Sequence, residues 1–453
     1  MQEENRNTQV KDTDRSALSQ LQSGVGSIKT WRWVPGLFDL RGIPPAYHIG
    51  IRAFGFDSLL TSFSDSLYLS YISLYILALG GSRGQVGGFT SIASLMGMLS
   101  PILGAALTRR WGRRKPIVVV FSALFRLMLL LAALVPFFLE GPAAIIAIIA
   151  IFALRAGFLN VLIPAWLSLT GDIVPTERRG RYLASRSVLM AIISILIVPL
   201  AGQLIEWRGA PSGYQIALGI AFVIGIGATY AYSHIPEEHR KAAPSGGIGS
   251  QLRSFWHALT ANRIFLWFVL IRLLWQLALQ IGGPYFSVYQ VEVLNSPIGT
   301  IGLLTTIRAI TRMIGLRIWG TTLDKRGARW VMTVAALSIP ILPFLWLFAT
   351  QPWHIVFVMV PAGFLWAGFE IGSFALLLEL LDGEDSTQAA AGYTSLLAAA
   401  SVIGPLIGGW VIDGIGYLWD FSLSGMLRLV AALLFLWLLK PFGSRPERAS
   451  EGG

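Results

Sequence analysis

The sequence has no cysteine among its 453 residues, so disulfide bonds and thiolate metal sites are excluded. Histidine is also scarce, with five scattered residues. There is no His-Glu-x-x-His pattern and no glycine-rich loop followed by Lys-Ser or Lys-Thr, which are typical of zinc proteases and nucleotide-binding proteins. We therefore expect neither an enzyme nor an ATP-driven pump, and we expect no metal or cofactor.

Charged residues are few as well: they make up 13% of the chain, against about 25% in an average soluble protein. Hydrophobic residues reach 54%, and the mean hydropathy is +0.64. Apolar runs of the length needed to cross a bilayer, about 20 residues, occur at 54–80, 84–107, 115–139, 142–170, 182–206, 212–233, 264–290, 298–319, 329–349, 353–380, 388–413 and 418–439. This pattern predicts an all-α membrane protein with twelve transmembrane helices.

Lysine and arginine are distributed unequally between alternate loops. The poor side has only Arg83 and Arg208 in its loops, whereas the rich side has the basic clusters around 109–115, 178–181, 240–241, 325–329 and 440. Because positive loops stay in the cytoplasm, we expect a multi-pass protein of the cytoplasmic membrane with both termini inside. The net charge of +11 then reflects topology, and nucleic-acid binding is not expected.

The chain divides into five predicted regions. Residues 1–53 form a polar N-terminal tail and an interfacial segment, 54–234 a six-helix bundle, and 235–263 a cytoplasmic linker with a short amphipathic helix. Residues 264–440 form a second six-helix bundle, and 441–453 a cytoplasmic tail. The bundles repeat in sequence: Tyr71, Ser73 and Tyr75 recur as Tyr285, Ser287 and Tyr289, and Pro199 recurs as Pro405.

Two basic turns carry a resemblance to a known family. The segments 105–114 and 320–329 each place a glycine, Gly112 or Gly327, among arginines after the second span of a bundle. With twelve spans as six plus six, the chain resembles the major facilitator superfamily of secondary transporters. The resemblance implies two pseudo-symmetric bundles around a central cavity, lined by spans one, four, seven and ten.

The resemblance also implies contacts between the bundles at the cytoplasmic face. It sets Arg109 and Arg110 against an acidic loop, and Asp324 against a basic one, and we hypothesise a charge latch that favours the outward-open state. The alternative is that these charges serve topology only. The residues assigned to this cytoplasmic gate are Arg109, Arg110, Gly112, Arg113, Asp172, Arg179, Asp324, Gly327, Arg329, Asp382, Glu384 and Asp385.

Charged and polar residues inside the apolar runs are the candidates for the transport site, since such residues are costly in lipid. Spacings of three and four residues put a polar stripe on one face of the first span. The seventh span has a similar row, followed by a predicted break at Gly282-Gly283-Pro284. The candidate cavity residues are Asp57, Asp65, Tyr68, Tyr71, Arg155, Arg272, Gln276, Gln280, Arg308, Arg312 and Glu370.

These residues favour a secondary active transporter of a small organic molecule. Excess arginine admits a carboxylate or phosphate substrate, and Asp65 and Glu370 are the candidates for proton coupling. Alternatively, Arg155 with Glu370, or Arg308 with Asp65, form fixed ion pairs between helices. Export is favoured over import. Multidrug efflux of neutral or cationic compounds and a non-transporting membrane receptor on the same fold remain the alternatives, and we expect a monomer in the lipid bilayer.

Overall fold

The computed structural model describes residues 48–173, 176–235, 263–381 and 386–439, together with positions 237, 253, 256, 257, 259 and 260. These residues form α-helices and short connections, with no β-strand among them. In chain order the helices are α1 (His48–Ser66), α2 (Ile72–Ala78), α3 (Arg83–Trp111), α4 (Lys115–Phe138), α5 (Gly141–Ile173), α6 (Thr176–Arg208), α7 (Ser212–Ser233), α8 (Arg263–Gly282), α9 (Tyr285–Glu292), α10 (Ile298–Ser338), α11 (Ile341–Leu347), α12 (Val356–Leu380), α13 (Ser386–Ile415) and α14 (Tyr417–Leu439).

Within the described residues, ten helical segments are long and apolar enough to cross a membrane. The longest, Ile298–Leu347, has 50 residues and contains α10 and α11. Gly327 interrupts α10 with φ +80° and ψ 165°, a conformation open mainly to glycine. Gly112, at φ +65°, likewise ends α3. Each predicted basic turn thus depends on its glycine.

The first predicted span differs from the expectation of one continuous helix. It begins at His48, within the segment assigned to the membrane interface, and α1 ends at Ser66. The amides of Leu67 and Tyr68 then bond to carbonyls only three residues back, and a short 3-10 helix, Leu69–Tyr71, precedes α2. The polar stripe therefore changes direction after Ser66, and its members do not share one face.

The predicted break in the seventh span is confirmed, because α8 ends at Gly282 and α9 begins at Tyr285. Proline has no backbone N–H, so Pro284 cannot donate the helical hydrogen bond to the carbonyl of Gln280. The α8 and α9 segments are thereby set apart as two helices within one apolar run.

The helices before and after the linker pack together through α3 against α13 and α6 against α10. Two tyrosines make corresponding contacts. The hydroxyl of Tyr71 donates to the carbonyl of Val198 at 2.6 Å, and that of Tyr285 to the carbonyl of Pro405, also at 2.6 Å. Glycines leave room for both rings: a Cβ at Gly202 would lie 2.6 Å from the Tyr71 hydroxyl, and one at Gly409 would lie 2.7 Å from that of Tyr285.

Candidate transport site

The first cluster of buried charge joins α1 to α5. Asp65 lies 3.3 Å from Arg155, between Oδ1 and Nη2, and accepts a hydrogen bond of 2.7 Å from the Tyr68 hydroxyl. Arg155 also donates to that hydroxyl, and its guanidinium lies 4.8 Å from the centre of the Tyr68 ring and 5.3 Å from that of Phe125. A carboxylate, a phenol and a guanidinium therefore form one connected network.

The two charges of this network differ in exposure. The Arg155 side chain is 7% exposed, whereas that of Asp65 is 36% exposed. Asp65 is the next-to-last residue of α1, and its carboxylate is directed toward Arg155 of α5 and not toward lipid, where a charge would be costly. Arg155 is the buried partner of Asp65. It does not pair with Glu370, which was one of the alternatives drawn from the sequence.

Asp57 occupies a different environment from the cavity position predicted for it. It is 7% exposed, and its Oδ1 lies 3.9 Å from Nη2 of Arg126, which is 2% exposed. Arg126 also donates to Thr61 at 2.8 Å, to Ser122 at 2.6 Å and to Thr229. The reason for the difference is that α1 packs against α7 and receives the Arg126 side chain from α4, so Asp57 joins helices that precede the linker.

Arg186 in α6 is a charged residue that sequence reasoning missed. Its Nε donates to Ser58 at 2.6 Å, and its guanidinium lies 5.1 Å from the ring centre of Phe54 and 5.3 Å from that of Trp166. The sequence did contain an indication of this residue, since Arg186 lies inside the predicted apolar run 182–206. It lies close to the start of that run, where a charge is usually taken to reach the membrane surface.

A second cluster, on α10 and α12, contains the accessible charges of the later helices. Arg312 binds Glu370 through Nη2 at 2.5 Å and Nε at 3.2 Å, and both side chains are 46% exposed. Arg308 lies one turn before Arg312 and is also exposed. The backbone carbonyl of Arg308 accepts a hydrogen bond of 3.0 Å from Thr311, but no hydrogen bond or ion pair joins its guanidinium to any residue that the structure describes. On this side of the site, the charge of Arg312 is neutralised by Glu370, whereas the guanidinium of Arg308 has no ion-pair partner among the described residues.

Polar side chains along α8 donate hydrogen bonds to hydroxyl groups of α13. Arg272 donates from Nε to the Tyr393 hydroxyl at 2.9 Å and lies 4.9 Å from the ring centre of Phe369. Gln276 donates to Ser401 at 2.9 Å. Gln280 lies close to α13, since a Cβ at Gly404 would be 2.5 Å from its Cβ. The glycines of 404–409 therefore allow close helix packing.

Polar contacts join the earlier to the later helices at one end of the molecule, which we call the Glu292 end, formed by residues 79–82, 139–140, 209–211, 293–297 and 416. A further hydrogen bond, from Thr306 of α10 to the carbonyl of Ile195 of α6 at 3.2 Å, lies deeper along these helices. Nε of Arg83 lies 2.7 Å from Oε2 of Glu292. The Tyr417 hydroxyl donates to the same oxygen at 2.6 Å, with its ring centre 5.1 Å from the Arg83 guanidinium. Glu206 accepts a hydrogen bond of 2.9 Å from the amide of Gly299. The Glu292 end is therefore closed by polar contacts.

The opposite end holds the predicted charge latch. Residues 382–385 lie outside the described part of the chain, as do the side chains of Arg109, Asp172 and Arg179. Arg110, Arg113 and Asp324 are exposed. The neighbouring Arg114 is described: its Nη1 donates to Ser168 at 2.9 Å, and its backbone amide donates to Glu237 at 2.7 Å. The latch itself stays a prediction.

Comparison with protein families identifies the class. The model of the Major Facilitator Superfamily matches residues 56–300 and 283–453, so the chain belongs to this superfamily of membrane transporters. Among its relatives, a staphyloferrin B transporter of Staphylococcus aureus is 28% identical over 157 residues, which are 34% of this chain and 36% of that protein. The multi-drug resistance efflux pump PmrA of Streptococcus pneumoniae is 28% identical over 139 residues, 31% of this chain and 35% of the pump.

These two matches span about a third of the length of each relative. The chromaffin granule amine transporter of Rattus norvegicus matches over 381 residues, 80% of this chain and 67% of that protein, at 23% identity. Among solved structures, a mutant of the nucleoside transporter NupG superposes with a TM-score of 0.71 at 14% identity and covers 85% of this chain and 99% of its own. A bacterial homologue of ferroportin in the inward-facing state gives 0.67, at 14% identity, over 85% and 98%. The chain is thus a multi-pass membrane protein of this superfamily.

Proposed function

We propose that this protein is a proton-coupled secondary transporter that moves a small organic anion by alternating access, with export favoured. The arrangement of charges in the site carries the proposal: Asp65 and Glu370 each face the interior with an arginine partner, while Arg308 has no partner among the described residues. A free guanidinium in a water-filled site is suited to a carboxylate or phosphate group, which it can bind through two parallel hydrogen bonds.

The proposed architecture has twelve spans in two six-helix units, residues 54–234 and 264–440, within the cytoplasmic membrane. The ten apolar segments support this number. The 50-residue segment 298–347 is long enough to cross twice, since a helix rises about 1.5 Å per residue and the apolar core is about 30 Å thick. Helices α1 and α2 supply a further span. The corresponding contacts of Tyr71 and Tyr285 support the symmetry of the units.

Proton coupling is proposed at the two accessible carboxylates. In the described conformation, Arg155 is the ion-pair partner of Asp65 and Arg312 is that of Glu370. An anionic substrate that binds these arginines would compete with the carboxylates, which would then favour protonation. Anion binding would thereby be linked to proton uptake at a shared set of guanidinium groups.

Multidrug efflux is the second candidate, favoured by the similarity to PmrA and by the aromatic residues beside the second cluster. The ring of Trp275 stacks on that of Phe369 with centres 4.4 Å apart, and Trp366 lies 6.3 Å from Trp275 and 5.7 Å from Phe369. Trp275 and Phe369 are buried, whereas Trp366 is half-buried and could contact a flat apolar compound. Asp65 and Glu370 could receive a cation.

The test is a thermal-shift screen of purified wild-type protein against anionic, neutral and cationic metabolites and drugs, since a ligand at 100 times its Kd stabilises the folded state by about 2.7 kcal/mol. Two variants accompany it. Arg308→Gln removes the free charge, and Arg272→Gln is a matched control whose arginine is held by Tyr393. An anion should stabilise the wild type and Arg272→Gln, and bind Arg308→Gln about 10- to 100-fold more weakly.

Equal stabilisation of both variants by cations or neutral aromatics would contradict the anion site and favour multidrug efflux. The stabilising compound is then tested in proteoliposomes with an imposed pH gradient. Saturable flux that follows the gradient is the expected result, whereas binding without flux would indicate a receptor on the transporter fold.

A further inference from the structure

Asp420 in α14 is a buried carboxyl group that the transport site does not use. Its exposed fraction is 0%, and neither carboxylate oxygen has a hydrogen-bond partner among the described residues. A carboxylate in an apolar interior without partners is very unfavourable, so such a group either takes up a proton or binds a cation. Asp65 and Glu370, by contrast, each have an arginine within 3.3 Å and 2.5 Å.

Asp420 lies at the break between α8 and α9. Its Oδ2 would be 3.5 Å from a Cβ placed at Gly282, and Oγ of Ser424 would be 3.2 Å from the same point. The Ser424 hydroxyl already donates to the carbonyl of Ala278 at 2.6 Å. Because Pro284 has no N–H, the carbonyl of Gln280 also lacks its helical donor. The break is rich in acceptors, and a neutral carboxylic acid would add an O–H donor there.

The charged surroundings of Asp420 are sparse. Among the described residues, the groups that interact with it electrostatically are Arg428 on the same helix and the Tyr285 hydroxyl on α9. Within that part of the chain, no charged group of α8, α10, α11 or α13 adds to this interaction. Arg428 itself is 2% exposed, and no ion pair within 4.0 Å joins it to Asp420.

Helix α9 links this break to the closed end of the molecule. Its first residue, Tyr285, donates to Pro405 and fits against Gly87 of α3. Its last residue, Glu292, binds Arg83 at the start of α3. A movement at residues 282–284 would therefore be transmitted through an eight-residue helix to the contacts that close the Glu292 end.

We propose that Asp420 is a proton-binding site that controls the Glu292 end. With the proton bound, the neutral acid remains buried and α9 stays in the closed position. When the proton passes to water, the resulting carboxylate requires hydration, which favours the separation of α9 from α3. The proposal rests on the proposed alternating-access function for its role in transport, but the protonation and the movement are measurable without a substrate.

Infrared spectroscopy of the purified protein tests the protonation. We expect a carbonyl stretching band of a protonated carboxylic acid at neutral pH in the wild type, absent in Asp420→Asn and shifted in Asp420→Glu. Asp65→Asn, the matched control with the same chemical change, should keep the band. A band that persists in Asp420→Asn, or a wild type without one, would overturn the proposal. A band that disappears when sodium replaces choline would also overturn it, because the site would then bind a cation.

Spin labels test the movement, since the absence of native cysteine makes introduced cysteines unique. Glu140→Cys and Val293→Cys place labels on exposed positions of the Glu292 end, the second at the end of α9. The distance should lengthen as the pH rises in the wild type and in Glu379→Gln, which changes an exposed carboxyl group outside the transport site, and stay short at every pH in Asp420→Asn. Equal lengthening in Asp420→Asn would contradict the proposal. Correct band and distance changes without flux would leave this inference intact and refute the transport proposal.

Discussion

At the scale of single residues, burial separates the arginines that hold helices together from those available to a substrate. Arg126 is 2% exposed and has Asp57, Thr61 and Ser122 as partners, so its charge is fully used among the helices that precede the linker. Arg312 is 46% exposed, and its carboxylate partner, Glu370, is equally exposed. The same residue type therefore has a structural role in α4 and a candidate binding role in α10.

Replacing Arg126 should cost much more stability than breaking the exposed pair. Arg126→Gln would leave Asp57 buried and unpaired, which destabilises by about 3 to 5 kcal/mol. Glu370→Gln breaks a pair that is worth about 0 to 1 kcal/mol. Thermal unfolding in detergent should show a large decrease in Tm for Arg126→Gln and a small one for Glu370→Gln. Similar decreases in both would refute the distinction.

At the scale of elements, short helices and interruptions control how the longer helices meet. The break after α8 frees α9 to carry Glu292 to Arg83, and the first turn of α10 is capped by Glu206 from α6. These contacts join the earlier helices to the later ones at the Glu292 end. An exposed pair contributes little to folding, yet it can bias two conformations that differ by a few kcal/mol.

Reversing one charge at this contact should open the Glu292 end, and reversing both should close it again. In Arg83→Glu, two carboxylates would face each other, so the labels at positions 140 and 293 should show a larger fraction of long distances. The double variant Arg83→Glu with Glu292→Arg should return the distances toward the wild type. The contact would have no gating role if the single reversal left the distribution unchanged.

At the scale of the whole molecule, the positively charged loops lie at one end, and the contacts that close the molecule lie at the other. The exposed basic residues Arg110 and Arg113 lie at the end that contains Gly112, whereas the contacts of Arg83 with Glu292 and of Glu206 with Gly299 join the two sets of helices at the Glu292 end. If the positive loops are cytoplasmic, the described conformation is closed toward the outside. The proposed latch would then close the molecule in the alternate state.

Single cysteines should reveal this orientation in intact cells. We expect a membrane-impermeant thiol reagent to label Glu140→Cys and to leave Arg110→Cys unlabelled until the cells are opened. Both positions are exposed, so the difference would reflect the side of the membrane and not burial. Labelling of Arg110→Cys alone in intact cells would mean that the orientation is inverted.

Much of the architecture follows from the sequence because it depends on local physical chemistry. Apolar runs must become helices in lipid, since helices satisfy their own backbone hydrogen bonds. The turns at Gly112 and Gly327 and the break at Pro284 follow from backbone constraints of single residues. The predicted run 212–233 coincides with α7 for the same reason.

Only the tertiary structure decided which charges meet. The sequence places Asp65, Arg155 and Glu370 at suitable depths in their helices, but rotation and packing pair Arg155 with Asp65 and Glu370 with Arg312. The same packing hides Asp57 beside Arg126, leaves Arg308 without a described partner, and buries Asp420 at the break of another helix. Helical periodicity determines the face on which a side chain lies, whereas its neighbour depends on contacts between segments far apart in the chain.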